Sequence, residues 1–161
     1  LQVLPYHRVV RDLGRWENPD AFLAALRGVV RVEAGSERPA GPGEVSVYLD
    51  GRWHRLLLGP APAGAEPADR LDVARLQAQV LTPLLDIGDP RTDARIGFVG
   101  GIRGPEALRA QVDAGRASVA FAMHPVSVDD LIAVSDAGGI MPPKSTWFEP
   151  KLRDGLLSHL I

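Results

Sequence analysis

The chain has 161 residues, 45% of them hydrophobic and 24% charged, with a formal net charge of −2. That length can bury one real core, and the charge balance argues against a broad nucleic-acid footprint, which needs a basic excess or stripe. With no cysteine, disulfides, thiolate catalysis and cysteine-ligated zinc or iron–sulfur sites are excluded.

No apolar run approaches the ~18–20 residues that a membrane-spanning helix needs, and no signal peptide is visible. The composition fits a cytoplasmic protein. The sequence opens on Leu1, without a methionine, in a segment that already reads as a strand. A piece of a longer protein is therefore expected.

Leu1–Val10 (LQVLPYHRVV) is rich in β-formers and interrupted by Pro5. It reads as an edge strand, or as two short strands meeting at the proline. Asn18-Pro19-Asp20 reads as a helix start, because Asn can cap, Pro fits the first helical position and Asp favours the positive end. Phe22, Leu23 and Leu26 give that helix an apolar face, and Gly28 ends it. Residues 29–33 read as a short strand and residues 34–43 as a polar, Gly/Pro-rich loop.

In the run 44–58, Asp50-Gly51 separates two β-rich halves, as a two-residue hairpin turn with positive φ requires. In that register Tyr48 faces Trp53 across the strands. Residues 59–69 (GPAPAGAEPAD) form a linker or surface loop between a β-rich front part, 1–58, and an α/β back part, 70–161. The front part alone would make a marginal core, so the expectation is one domain.

The back part alternates. Residues 71–82 read as a helix with Val73, Leu76, Val80 and Leu81 on one face, stopped by Pro83. Residues 94–99 read as a strand. Gly104-Pro105-Glu106 opens a helix that carries Leu108 and Val112 inward and closes at Gly115. Residues 117–123 (ASVAFAM) read as a strand covered on both faces. Ser127-Val128-Asp129-Asp130 resembles a capping box that starts a helix ending at Gly138. Strands are expected at 146–149 and 152–161, paired with each other. The fold class is mixed α/β: a mixed β-sheet with right-handed helical crossovers and one hairpin.

Chemistry-bearing residues concentrate in residues 138–151 (GGIMPPKSTWFEPK), where prolines and glycines oppose a helix. Lys144-Ser145-Thr146 invites comparison with a phosphate loop, but the residues before it, Pro142 and Pro143, have no N–H to offer a phosphate. What remains is a stiff segment that holds Lys144, Ser145, Thr146 and Lys151 at a pocket rim, where they suit a phosphate or carboxylate. The plainer reading is a proline-stiffened connector.

His124 follows directly on the apolar strand, at its carboxyl end, where α/β sheets bind ligands. It is the candidate catalytic residue, as a general base or anchoring donor, or else it bonds a loop carbonyl. His7 and Arg8 are ligand-contact candidates, yet adjacent strand residues face opposite ways. Gly100-Gly101 suits close ligand approach or a tight turn. His54 and His159 carry no expectation, and the scatter of the histidines predicts no metal site.

The segments LPYHRVV, DVARLQAQVLTPLL, RIGFVGG, VAFAMHPVSVDDL and MPPKSTWFEPKLRDGLL together resemble the C-terminal part of the family named Domain of Unknown Function 1015. The resemblance implies a missing upstream half with an Asp-Gly-His-His-Arg motif. That motif is similar to one in the ParB–sulfiredoxin fold, which includes nucleotide-dependent free-serine kinases. It places His7, Arg8, His124, Lys144, Ser145, Thr146 and Lys151 in family motif blocks without assigning them roles.

Two expectations follow. In one, the chain is the C-terminal half of a small-molecule phosphotransferase-like enzyme related to serine or phosphoserine. It contributes phosphate or carboxylate contacts, with ATP or ADP and Mg as implied cofactors of the full-length protein. In the other, residues 138–151 are a structural clasp in which Trp147 and Phe148 close the core or a homodimer seam.

Overall fold

A computed structural model of the chain describes residues 1–151; the strand expected at 152–161, with His159, lies outside the described residues. Strand β1 (Gln2–Val10) is the one on which the sheet is assembled. Its Tyr6–Val10 half pairs with β5 (Ile96–Gly100), and Arg8–Val10 also pair with β6 (Val119–Met123). Its Gln2–Pro5 half pairs with β7 (Thr146–Glu149). With β2 (Arg31–Ala34), β3 (Glu44–Leu49) and β4 (Arg52–Leu57), the order is β2-β4-β3-β6-β1-β5, and β7 joins β1.

The sequence reads Leu1–Val10 as an edge strand or as two short strands meeting at Pro5. The structure makes β1 one strand that changes partner at the proline: Gln2–Pro5 pairs only with β7 among the described residues, while Arg8–Val10 lies inside the sheet. Proline forbids one ladder bond rather than a whole strand, and the doubly paired residues, Arg8–Val10, lie beyond it. Strand β7 pairs with β1, and the pairing expected between it and residues 152–161 lies outside the described residues.

The mixed α/β class holds, and so does the hairpin. Asp50 and Gly51 have φ of 49° and 78°, and Tyr48 stands opposite Trp53 with ring centroids 5.0 Å apart. The pairing within the sheet differs from expectation. Every strand pair among the described residues is antiparallel. Strands β5 and β6 do run the same way, with helix α4 (Gly104–Asp113) between them in sequence, but β1 is inserted between them. The crossover survives while its two strands never touch. The sheet is thus antiparallel at every hydrogen-bonded neighbour, not mixed.

Helix α1 (Pro19–Val29) starts as its sequence requires: the Asn18 side chain accepts from the Ala21 N–H at 2.8 Å. It runs one residue past Gly28 and buries Phe22 and Leu26. Helix α2 (Asp72–Leu76) passes without a break through a wide five-residue turn, Gln77–Leu81, into α3 (Thr82–Leu85). Pro83 does not stop it. A π-type turn shifts the bonding by one residue and makes room for a ring that lacks an N–H. The stop falls instead at Asp86, whose φ is 55°. Helix α5 (Val128–Asp136) begins at Ser127, whose Oγ accepts from the Asp130 N–H and donates to the Asp130 carboxylate.

The sheet buries both faces. Val10, Val45, Val47, Leu56, Val119 and Phe121 pack with α1, α2 and α3 residues such as Phe22, Leu26, Leu76 and Leu85. Val9, Tyr48, Val99, Ala120 and Ala122 pack with Leu108 of α4 on the other face. Alternation along β1 therefore sends Val10 to one core and Val9 to the other. Among the described residues, no helix is long and apolar enough to cross a membrane.

Candidate functional site

His7 and Arg8 take opposite faces of β1, and each is almost wholly buried, at 6% and 3% exposed. His7 falls on the α4 side. Its Nδ1 accepts the Met123 backbone N–H at 3.0 Å. An accepting Nδ1 must be unprotonated, so the neutral ring carries its hydrogen on Nε2. Burial holds the His7 pKa down to about 4, with the Arg8 and Arg38 cations adding to the effect. At neutral pH the residue is a fixed, uncharged N–H donor.

That ring lines a cavity of about 330 Å³. The floor comes from β1 and Gly101. A β-carbon on Gly101 would meet the Pro5 carbonyl at 2.7 Å, so β5 can end this close to β1 only with glycine there. The loop between β2 and β3 adds Glu37 and Arg38, and the end of β6 adds His124. Arg38 Nη2 lies 3.9 Å from where a Gly104 side chain would begin, at the head of α4.

His124 is half-buried, and its Nδ1 is 3.0 Å from the Pro125 carbonyl. A carbonyl only accepts, so this contact puts the neutral ring's proton on Nδ1 and leaves a lone pair on Nε2. His7 and His124 thus hold opposite tautomers, one an Nε2–H donor and the other an Nε2 acceptor. His124 also borders a smaller cavity of about 170 Å³ shared with Asp72 and Asp130. Burial raises the Asp72 pKa, against the lowering effect of the Gly43 N–H and of Arg75.

Arg8 sits on the other face. Its guanidinium donates to the Tyr6 carbonyl at 2.7 Å and to the Pro143 and Lys144 carbonyls at 3.1 Å each, and it stacks over Phe98 at 5.2 Å. Burial lowers its pKa to about 10. The Ser145 hydroxyl, only 4% exposed, donates to the Pro142 carbonyl. Lys144 has φ of 53°, a left-handed value that a non-glycine residue holds at a cost. The Arg8 bonds on either side of its peptide hold it there.

The two lysines cap an aromatic pair. Tyr6 and Trp147 meet edge to face, with centroids 5.4 Å apart. Lys144 Nζ lies 5.3 Å from the Tyr6 ring and Lys151 Nζ 4.5 Å from the Trp147 ring. Thr146 is half-buried opposite Pro5 in the β1–β7 pairing. Gly100, read with Gly101 as suiting close ligand approach or a tight turn, makes room for Trp147: a β-carbon there would stand 2.7 Å from that ring.

The structure therefore brings His7 and His124 to one cavity. It sets Arg8 of β1 against the 142–151 segment, which carries Lys144, Ser145, Thr146 and Lys151. Glu37 and Arg38 were missed because their segment reads only as a polar loop. Their signal was an acid and a base side by side, ahead of a proline. Among the described residues no three His, Asp or Glu side chains stand together as a metal cage. Of the cavity groups, the His7 N–H donor and the Arg38 guanidinium suit phosphate or carboxylate oxygens, and Glu37 adds the opposite charge beside them.

Residues 1–74 match the family model described as Protein of unknown function (DUF1015). The DUF1015 match spans β1 to the middle of α2, and so covers His7, Arg8, Glu37 and Arg38. No curated protein matches the chain. Among solved structures it is similar to a mutant free serine kinase in complex with AMP, with a TM-score of 0.50 and 14% identity, over 91% of this chain and 53% of that one. At that identity the likeness shows a shared fold alone. This chain spans about half the length of that kinase.

Proposed function

We propose that this chain forms one wall of a small-molecule phosphotransferase-type site related to serine or phosphoserine, and that it contributes contacts to phosphate or carboxylate oxygens. The observation that carries the reading is the convergence of two histidines of opposite tautomer on one cavity beside Arg38. Positioned cations and donors are most of what phosphoryl transfer asks of a protein. The Nε2 lone pair of His124 suits it to take a hydroxyl proton. His7 Nε2–H and Arg38 hold anionic oxygens. The fold shared with a free serine kinase, whose structure contains AMP, supports the same direction. An upstream segment of the same protein would supply the other wall and the nucleotide and magnesium contacts.

The test is a thermal-shift titration of the intact protein with ATP, ADP, AMP, L-serine and phosphoserine, repeated for His124→Ala. A nucleotide or phosphoserine should raise the melting temperature, and His124→Ala should lose phosphotransfer by about 100-fold or more. If no ligand shifts the transition, or if the variant retains full activity, the reading is wrong.

A second reading, favoured by the Arg8 bonds, makes the 138–151 segment a clasp rather than a contact surface. Arg8 and Ser145 are spent on backbone carbonyls, and the lysines rest on rings. Under it, Lys144→Ala leaves every ligand response unchanged; a weakened phosphate or phosphoserine response would count against it.

A further inference from the structure

The cavity at His7 presents both signs of charge. Glu37 and Arg38 are consecutive and both line it, yet among the described residues neither side chain makes a hydrogen bond or ion pair. Two opposite charges left unpaired on one rim are poised for a partner that carries both. Beneath them His7 is 6% exposed, and its one recorded bond uses Nδ1. The Nε2–H therefore has no partner among the described residues.

We propose that this cavity is an α-amino-acid subsite, in which Arg38 and His7 Nε2–H hold the carboxylate and Glu37 holds the ammonium. The inference rests on the phosphotransfer reading only for what happens next, when His124 receives the proton of a side-chain hydroxyl. A free phosphate dianion would satisfy Arg38 and His7 but would be repelled by Glu37. A zwitterion satisfies all three. Pro5, Pro39, Pro105 and Pro125 wall the cavity with rings that cannot swing aside, so its charged and polar groups are presented on a stiff frame.

The experiment is calorimetric titration of the intact protein with L-serine, glycerate (no ammonium), ethanolamine (no carboxylate) and inorganic phosphate, for wild type, Glu37→Gln and Arg38→Gln. Both substitutions lie in a loop, and Arg38 is exposed, so the fold should survive them; circular dichroism verifies this. L-serine should bind at least tenfold tighter than glycerate, ethanolamine or phosphate. Glu37→Gln should erase most of the gap to glycerate, and Arg38→Gln most of the gap to ethanolamine. Serine binding no tighter than its truncated analogues, phosphate binding tighter than serine, or folded variants that bind serine like wild type would each overturn the proposal. Nucleotide-dependent phosphorylation of another acceptor, without serine selectivity, would sink this subsite and the relation to serine, and leave phosphotransfer itself standing. Serine recognition at both ends without any nucleotide response would do the reverse.

Discussion

The buried His7 gives the protein a calculable acid sensitivity. Its pKa is held near 4 in the fold, against 6.5 for a free imidazole. Between those values the unfolded chain binds a proton that the native chain refuses, so stability falls as pH falls. The loss is absent above pH 6.5, sets in through that value and levels off below about 4. From the two pKa values it amounts to about 2 kcal/mol at pH 5 and about 3 kcal/mol at pH 4. Carboxylates titrate in the same window, so the measurement must be a difference. His7→Asn is the reference, because its Oδ1 can take the Met123 N–H while no longer titrating. Urea unfolding of both proteins at pH 7.5, 6, 5 and 4 gives the stability gap at each pH. The gap should move by about 3 kcal/mol against wild type between pH 7.5 and 4. A gap that stays constant within about 0.5 kcal/mol would refute the assignment of a buried, neutral His7.

Four structural variants probe the rest. Arg8→Met keeps the stem volume but strands the Pro143 and Lys144 carbonyls, and should cost about 2–4 kcal/mol, with faster amide exchange across residues 144–147 than elsewhere; uniform exchange would show that Arg8 does not pin that segment. Gly100→Ala drives a methyl into the Trp147 ring and should cost about 1–3 kcal/mol in urea unfolding, whereas Gly51→Asn, at a turn with open space, should be near neutral. Asn18→Ala removes the cap on α1 and should cost about 1 kcal/mol, read as a melting-temperature drop of about 2–4 °C.

Local chemistry made parts of this fold legible. Asp50-Gly51 announces a hairpin because positive φ at two successive positions has few alternatives. Asn18-Pro19 and Ser127 announce helix starts because orphaned N–H groups need an acceptor. The all-apolar 119–123 run announces a strand buried on both faces. Longer-range choices were not written locally. Pro83 says stop, but a one-residue shift in helical bonding lets the chain pass, and nothing in 77–81 marks that shift. Pro5 says edge or break, and the partner of β1 does change there, but strands from three other places in the sequence decide where β1 lies.

The site shows the same divide. His7 and His124 each stand out singly, while their meeting depends on β1 lying beside β6. The hydroxyl and ammonium groups of Lys144-Ser145-Thr146 drew the eye, yet the neighbours of that segment are met through carbonyls, which every residue possesses and no sequence ranks. Glu37 and Arg38 sit in a loop whose polar composition is ordinary, and only the cavity singles them out.

One consequence of β1 concerns what evolution and engineers can do to its length. His7 and Arg8 are neighbours with incompatible duties on opposite sides of one strand. Deleting or inserting a single residue between Pro5 and Val9 would exchange them. The guanidinium would then enter the cavity, and the imidazole would be left to span carbonyls it cannot reach. Point changes along β1 have graded costs; a frame slip there would dismantle the cavity and the 142–146 segment in one step.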